Sequence, residues 1–526
     1  MHKTAMLLLV TSTLASAQSS PTSVSTVLPY SGIYSPPTYT TGSGISASLP
    51  SSLLGIYTYT GTQTAPGPLV ENPLNYPVSG TFTSILQVAN TLNSSIATAL
   101  SVIPLASPAS GVIFKSDPAT GTPLPADSTL GPILVERAET IGKHKFFLGV
   151  THQDYHFTSL NGQPLNGLSL LYKGGYPSQV IDAAGSTTTE PATFNLGMDL
   201  RFSQDVAFLT YGVTDHLDIT VGLPMVHASE AATTYNATLY SGSGTGVPTC
   251  WCVDTFTPGQ PTLYVSDIGS AHMGKTGIGD VLFRAKDVIV DKPNGAIAIG
   301  VDVRAPTGDA SNYLGTGAAS VKPFVAASLY TTTVGSVVFA PHLNFGWQFS
   351  GDSPLGGTLK STPGIACIGG GTPQNSCAGG STFTDQGGPF TTVNGKLPDV
   401  LSWALGTEIA AGRHNTFVVD ILGNEIGLID GVYTLTKQMM PGFSPVSPFS
   451  AATAQGFACA SSSAAGTPNS QIVCSRNSFG EYSGAFGYKA RVIGNLVVTF
   501  NALVRFDNNG LTARFVPMYG LGYTFP

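Results

Sequence analysis

Charged residues are scarce in this 526-residue sequence. Only 10% of its residues are Asp, Glu, Lys or Arg, against about 25% in a typical soluble domain. Beyond the N-terminus, no run of about 18 apolar residues occurs, so no transmembrane helix is predicted. The mean hydropathy is nevertheless +0.19 and there are 62 glycines. This combination favours a membrane β-barrel, in which alternating side chains hide the hydrophobicity from a running average.

A basic surplus and motifs for covalent chemistry are also missing. The net charge of −7 argues against nucleic acid as a partner. There is no Gly-x-Ser-x-Gly elbow between a strand and a helix, no Gly-rich loop ending in Gly-Lys-Ser/Thr, and no telling pair of carboxylates. We therefore expect no enzyme and no cofactor. A membrane-embedded hydrolase stays open as an alternative, because His342 and His414 lie on or beside predicted strands.

The N-terminus has the pattern of a cleaved signal peptide over residues 1–17. Lys3 supplies the positive start, residues 5–14 the apolar stretch, and ASA at 15–17 the cleavage box. Residues 18–135 form an extension that is rich in Ser, Thr, Pro and Gly and almost free of charge. Within it, apolar residues at three- and four-residue steps predict one amphipathic helix over 84–102. That helix could pack beside a barrel mouth or plug its lumen.

From about residue 143, apolar and polar residues alternate in twelve segments. In the last one, Phe515, Tyr519, Leu521 and Phe525 share one face, while Arg514 and two glycines lie on the other. A barrel wall between lipid and a wet lumen requires this pattern, because successive side chains of a strand point to opposite sides. The predicted strands are 144–157, 198–212, 216–227, 278–290, 295–304, 322–331, 336–349, 398–411, 415–424, 482–493, 495–506 and 513–525.

The connections between these segments alternate in length. Tight turns join the second and third, fourth and fifth, sixth and seventh, eighth and ninth, and tenth and eleventh strands, whereas most other connections are long. Long loops at one end and short turns at the other are typical of outer-membrane barrels. We therefore predict an all-β fold: an antiparallel transmembrane β-barrel of about 12 strands over 136–526, with a low-complexity N-terminal extension. A soluble β-sandwich is the structural alternative, but it does not explain the difference between the loops.

All six cysteines fall in three of the long loops, as sequence-local pairs. An exported chain meets an oxidising compartment, where disulfides form. Six cysteines allow 15 connectivities, and local pairing is our expectation. The disulfide candidates are Cys250, Cys252, Cys367, Cys377, Cys459 and Cys474.

Several turn motifs occur in an order that resembles a known family. They are YGVTDHLD at 211–218, GIGD at 277–280, RAPTGD at 304–309, LPD at 397–399 before ALG at 404–406, and GL at 510–511 before VP at 516–517. This order, over about 140–526, resembles the meta-pathway phenol-degradation family of outer-membrane transporters. The resemblance implies uptake of aromatic or other hydrophobic compounds. Residues 18–135 lie outside it.

If the apolar faces meet lipid, the opposite faces line the lumen. They carry charges of both signs, which either pair to stabilise the barrel or line a water path. In the second case Arg284, Arg304, Arg505 and Arg514 would form a basic strip that selects anions such as aromatic carboxylates. The lumen-lining candidates are Asp218, Arg284, Lys286, Asp302, Arg304, His342, Asn344, Glu408, Asp420, Lys489, Arg491, Asn501, Arg505 and Arg514.

Three further polar residues share one face of the first strand. His152, Asp154 and His156 stand two residues apart, a spacing that could hold a divalent metal. The alternative is a polar rim above the membrane, and we expect no bound metal.

The expected function is that of an outer-membrane channel for passive uptake of small, aromatic or hydrophobic solutes. The partners would be outer-membrane lipid, the solute and, during biogenesis, the barrel-assembly machinery. A second class remains open, a structural or adhesive barrel that acts through disulfide-stapled external loops.

Overall fold

The computed structural model describes the strands, one helix and most turns of the chain. The described residues are 21–28, 38–40, 46–48, 79–104, 114–116, 123–125, 129–173, 180–181, 187–188, 191–240, 261–292, 294–329, 332–334, 337–361, 365–367, 383–385, 390–412, 414–429, 432–440 and 469–525. The predicted signal peptide lies outside these residues, as does most of the predicted extension.

Twelve antiparallel strands form a closed barrel, so the predicted fold class is confirmed. Each strand pairs with the next, and β1 also pairs with β12, where Phe146 lies opposite Phe525. The strands are β1 (Phe146–Phe157), β2 (Pro191–Gly212), β3 (Leu217–Tyr240), β4 (Val281–Lys292), β5 (Gly295–Ala305), β6 (Ser320–Leu329), β7 (Val337–Ser350), β8 (Val400–Ala410), β9 (Asn415–Ile426), β10 (Phe479–Ile493), β11 (Leu496–Arg505) and β12 (Phe515–Phe525).

The outer surface of the barrel is an apolar belt. Leu223, Phe345, Phe500 and Leu521 are each about half exposed, at 47%, 52%, 50% and 55%. Large apolar side chains are exposed on almost every strand. Such a surface is suited to contact with acyl chains and is unfavourable in water. In β12 the predicted alternation holds, with Phe515 and Tyr519 outside and Val516 and Met518 buried.

The strand boundaries agree with the predicted ones to within three residues, except at the outer ends of β2 and β3. These strands continue toward the long loops, where β2 pairs with Asn166–Lys173 and β3 pairs with Pro261–Ile278. The prediction missed these extensions because both faces of a strand outside the membrane can be polar. Ile278, predicted to begin the fourth strand, ends the strand Pro261–Ile278 instead.

Short strands decorate the loops and the N-terminal region. Several of them form two-stranded ribbons, such as Asp352–Ser361 with Phe390–Lys396 and Val432–Met440 with Asn469–Asn477. The others are Thr38–Thr40, Ser46–Ser48, Phe114–Ser116, Pro123–Pro125, Ser159–Leu160, Gln163–Pro164, Val180–Ile181, Thr187–Thr188, Thr332–Val334, Ile365–Cys367, Phe383–Asp385 and Leu511–Thr512. Two 3₁₀ turns, Val24–Thr26 and Ala310–Asn312, contact each other.

Helix α1 covers Ser79–Val102 and so begins five residues before the predicted start. It packs against the loop strands Asp352–Ser361 and Val432–Met440, and its described side chains are almost all buried. Its C-terminal end reaches the barrel wall, where Arg304 Nη1 donates a hydrogen bond to the carbonyl of Leu100 (3.0 Å). α1 therefore lies among the loops, and its C-terminal end lines the barrel interior. No helix in the described residues is long and apolar enough to cross a membrane.

Candidate functional site

A segment without regular secondary structure, residues 129–142, crosses the lumen of the barrel. We call it the inner segment. All fourteen residues are buried. It begins near β9 and β10 and ends at the turn between β2 and β3, where Thr140 Oγ1 donates to the carbonyl of Asp215 (2.7 Å). The predicted boundary between extension and barrel, at 135/136, falls inside this segment.

Wall side chains satisfy the backbone of the inner segment. The N–H of Leu134 donates to Asp420 (3.2 Å), and the N–H of Ile141 donates to Asp218 (3.0 Å). Lys489 Nζ donates to the carbonyl of Pro132 (2.6 Å). A buried segment with no strand or helix partner needs such acceptors and donors, because unpaired backbone polar groups are costly to bury. These wall charges therefore fix the path of the segment.

Glu136 of the inner segment joins two wall cations. Its carboxylate lies 2.9 Å from Lys286 Nζ and 2.7 Å from an Arg284 Nη atom. Arg284 also holds both oxygens of Asp302, at 2.6 and 2.8 Å. Asn344 completes the contact by bonding the backbone N–H and carbonyl of Glu136. Buried charges are tolerated when they are paired and hydrogen-bonded in this way.

Arg137 of the inner segment forms a second ion pair, with a residue of the barrel wall. Its Nη2 lies 2.9 and 3.0 Å from the two oxygens of Glu408, and the two side chains are 1% and 0% exposed. His342 Nε2 contacts the same carboxylate at 2.8 Å, and His342 Nδ1 contacts Ser328 Oγ at 3.0 Å. Ser328 Oγ in turn lies 2.9 Å from Glu139. The inner segment is thus held by ion pairs and hydrogen bonds to several strands.

The contacts of Ser328, His342 and Glu408 bear on the hydrolase alternative. Their order is that of a Ser–His–acid triad. However, Ser328 Oγ also accepts the N–H of Ala138 (2.8 Å) and contacts Glu139, and Ser328 is only 2% exposed. A nucleophile needs an approach for its substrate, and the inner segment occupies that approach. This geometry anchors the segment and does not present a nucleophile.

A cavity of about 180 Å³ lies between the inner segment and the end of α1. Its apolar lining includes Leu134, Tyr155, Phe157, Phe324 and Leu503. Its charged lining is a separate group on the facing strands and the inner segment: Glu136, Arg284, Asp302, Arg304, Lys322, Glu481 and Arg505. The cavity therefore offers an aromatic and aliphatic surface next to a charged one. We call it the central cavity.

Most of the predicted lumen residues do face the interior. Those that are buried inside the barrel or line its cavity are Asp218, Arg284, Lys286, Asp302, Arg304, His342, Asn344, Glu408, Asp420, Lys489, Asn501 and Arg505. Arg491 lies three residues before Gly494, near the short-turn end of the barrel. The twelve inward-facing residues lie around the inner segment and the central cavity.

The prediction that Arg514 lines the lumen is wrong. Its side chain is exposed and contacts Asn508 in the preceding turn, whereas its neighbour Ala513 is buried and lines the central cavity. The strand begins only at Phe515, so the alternation does not extend back to Arg514. The predicted four-arginine strip is therefore not formed.

Sequence reasoning missed the partners of the wall charges. Glu136, Arg137 and Glu139 occupy the stretch ERAE, which has the pattern of a solvated linker, and the strand pattern does not distinguish Lys322 and Glu481 as lumen residues. The available signal was a stretch of apolar residues and charges, 133–141, directly before the first strand. Its apolar residues follow neither a helical nor a strand period. Its role is therefore visible only in the structure, where it lies inside the lumen.

The candidate metal ligands lie outside the central cavity, and the candidate disulfide cysteines have no described side chains. His152 Nδ1 lies 2.9 Å from Asp205, and His156 Nε2 lies 3.1 Å from Asp199, both on the exposed surface. Within the described parts of the chain, no group of three or more His, Cys, Asp or Glu is placed to hold a metal. Cys250, Cys252, Cys377 and Cys459 lie outside the described residues, and the side chains of Cys367 and Cys474 do as well, so the disulfides stay a prediction.

Comparisons with known proteins return only distant structural likeness. No protein-family model and no curated protein matches the chain. An outer membrane channel from Pseudomonas putida F1 is 10% identical, with a TM-score of 0.36, over 74% of this chain and 98% of that one. The toluene transporter TbuX of Ralstonia pickettii is 10% identical, with a TM-score of 0.28, over 73% and 89%. Since these scores are low, the barrel assignment rests on the strand pairings themselves.

Proposed function

We propose that this chain is a bacterial outer-membrane channel for passive uptake of small, aromatic or hydrophobic solutes, like the transporter family that its turn motifs resemble. Its partners would be outer-membrane lipid around the apolar belt, the solute in the lumen and the assembly machinery during biogenesis. Export would depend on the predicted signal peptide at residues 1–17.

The central cavity is the observation that carries this proposal. Its volume of about 180 Å³ is of the order of the ~150 Å³ apolar cavity that accommodates benzene in a soluble protein. Aromatic side chains on its wall, such as Phe157 and Phe324, favour a planar ring by stacked or edge-on contacts. Because the strands enclose the cavity within the barrel, a solute bound there is already partway across the membrane.

The experiment compares solute uptake by porin-deficient cells that express the chain. We expect faster accumulation of radiolabelled phenol than in cells without it. Ala404→Trp should lower this uptake to the background, because Ala404 lines the central cavity. Ala285→Trp is the matched control, since Ala285 lies on the outward face of β4, between Arg284 and Lys286.

Two results would overturn the proposed function. One is phenol uptake that does not depend on expression of the chain. The other is an equal effect of the two tryptophan variants, once both are shown to be folded and present in the outer membrane at the same level.

A further inference from the structure

Two of the cations that line the central cavity have no direct ion-pair partner among the described residues. Both oxygens of Asp302 contact Arg284, both oxygens of Glu136 contact cations, and Glu481 contacts Arg505 (2.8 Å). Each lining carboxylate is therefore already paired. By contrast, Arg304 and Lys322 form no ion pair with any described residue.

The remaining hydrogen-bonding capacity of these two cations is large. Arg304 uses one Nη1 donor on the carbonyl of Leu100 (3.0 Å), out of the five N–H groups of a guanidinium. Lys322 makes no hydrogen bond to any residue that the structure describes. Both side chains are half-buried and line the central cavity. Asp302 lies opposite Lys322 in the strand register and attracts both cations, but both of its oxygens already contact Arg284. Half-buried cations without a directly bound counterion are costly, and an anion in the cavity would offset that cost.

The strand register places the two cations side by side. Arg304 of β5 lies opposite Ser320 of β6, and Lys322 is two residues further along β6 on the same face. Such diagonal neighbours are about 7–8 Å apart, a distance that two long side chains can close onto one carboxylate. A guanidinium binds a carboxylate in a planar, two-pronged manner, and the ammonium adds a point charge.

An aromatic surface adjoins the cation pair. Phe324 follows Lys322 on the inward face of β6 and lines the same cavity. The guanidinium carbon of Arg284 lies 5.1 Å from the centre of the Phe324 ring. This contact fixes one side of the ring. Across the cavity, Tyr155, Phe157 and Leu503 form the apolar wall. The ligand that fits both surfaces has one carboxylate and one small ring.

We propose that Arg304 and Lys322 form a carboxylate-binding site for small aromatic monocarboxylates, with the ring in the apolar part of the central cavity. This inference rests on the proposed function and narrows its solute class. It replaces the four-arginine strip expected from the sequence, since Arg284 and Arg505 are neutralised by acidic partners and Arg514 points away from the lumen.

The test measures binding of benzoate and of benzamide to the purified, folded full chain in detergent. Benzamide has the same ring and nearly the same size but no charge. We expect benzoate to bind at least about tenfold more tightly, because hydrogen bonds to a charged group are among the strong ones. Arg304→Gln and Lys322→Gln should each weaken benzoate binding about tenfold and leave benzamide binding unchanged. Arg304→Lys should recover part of the benzoate affinity.

Matched controls remove the same charges elsewhere. Arg514→Gln removes an exposed arginine outside the cavity, and Lys292→Gln removes an exposed lysine at the end of β4. Neither should alter benzoate binding. Heat-dependent gel mobility checks that every variant is a folded barrel, so a loss of binding is not mistaken for a loss of fold.

The outcomes separate this inference from the proposed function. Equal affinities for benzoate and benzamide, or benzoate binding that survives both glutamine substitutions, would refute the carboxylate site. If phenol uptake still depends on Ala404 in that case, the channel proposal stands without it. If benzoate binds through Arg304 and Lys322 but no solute is taken up by cells, the site exists and the uptake function fails.

Discussion

At the scale of single residues, charges in the wall serve the inner segment. Arg137 and Glu408 are almost completely buried and lie 2.9 Å apart. Removing one partner of such a pair leaves the other charge buried without compensation, which destabilises a protein far more than losing an exposed pair does.

We therefore expect Arg137→Gln to lower the free energy of unfolding by about 3 kcal/mol. The double variant Arg137→Gln with Glu408→Gln should recover much of this loss, because no lone charge remains. Urea unfolding in lipid, followed by tryptophan fluorescence, measures both. The control is Arg201→Gln, whose partner Asp199 is exposed and whose loss should change stability little. Equal effects of Arg137→Gln and Arg201→Gln would contradict the argument.

Several polar residues of the turn motifs hold loops in place through hydrogen bonds. Asp280 accepts hydrogen bonds from the N–H groups of Gly308 (3.0 Å) and Thr316 (2.7 Å). Thr214 Oγ1 accepts the N–H of Leu217 (2.9 Å), and Asp399 accepts the N–H of Ile429 (3.2 Å). These residues of the motifs thus specify turns of the barrel, whereas Arg304 and Ala404, which belong to two of the same motifs, line the central cavity.

At the scale of elements, the connection between β5 and β6 folds over α1. Tyr313, in this connection, donates to Asn93 of the helix (2.5 Å). Partial burial pushes the pKa of Asp309 upward, but hydrogen bonds from Ser311 and Asn312 outweigh it and keep that pKa below its ordinary value. A lowered carboxyl pKa stabilises the loop above the ordinary pKa, and the stabilisation is lost as pH falls through the lowered value.

The second prediction follows from the lowered pKa of Asp309. Hydrogen exchange of the residue 309–313 backbone should be slow at pH 7 and accelerate, beyond the intrinsic pH effect, only below the usual titration range of an aspartate. Asp309→Asn should show weak protection already at pH 7. Identical pH profiles for the native chain and the Asn variant would contradict the role of the carboxylate.

The inner segment lies in the short-turn half of the lumen, and we expect it to block that half. Replacing residues 130–141 by a Gly/Ser stretch of equal length removes its apolar side chains and its ion pairs. The wall charges can then be hydrated by water that enters. We expect a modest rise in single-channel conductance in planar bilayers, limited by the end of α1, above the low conductance expected of the native chain.

A variant that keeps Glu136, Arg137 and Glu139 within the Gly/Ser stretch is the control for this third prediction. Its conductance should stay closer to that of the native chain, because the ion pairs still hold the segment across the lumen. Native conductance as high as that of the full replacement would show that the segment does not close the barrel.

At the scale of the whole molecule, two structures narrow the lumen in series. The end of α1 lies on the long-loop side of the central cavity, and the inner segment lies on the other side. Because the two obstructions lie in series, we expect that removing one leaves the conductance limited by the other.

The fourth prediction is that deletion of residues 18–128 leaves a folded barrel of low conductance. Combining this deletion with the Gly/Ser replacement should give a higher conductance than the replacement alone. The same bilayer recordings test both. A large steady conductance after the deletion alone would mean that the N-terminal region, and not the inner segment, closes the pore.

Much of the barrel was predictable because strand patterning is local. In β5, Ile297 and Ile299 face lipid while Ala296 and Ala298 are buried, as their alternation indicates. The outer half of β3 was not predictable, since polar residues on both faces of a strand give no such signal. The central cavity was also hidden, because Arg304 and Lys322 become a pair only when β5 and β6 align.

The sequence by itself determined the number, order and facing of the strands, because the side-chain period of a strand and the length of a turn depend on neighbouring residues. Only the tertiary structure decided which lumen charges are neutralised and what fills the barrel. Ion pairs such as Arg137 with Glu408 join residues 271 positions apart. Their geometry exists only after the twelve strands close around the inner segment.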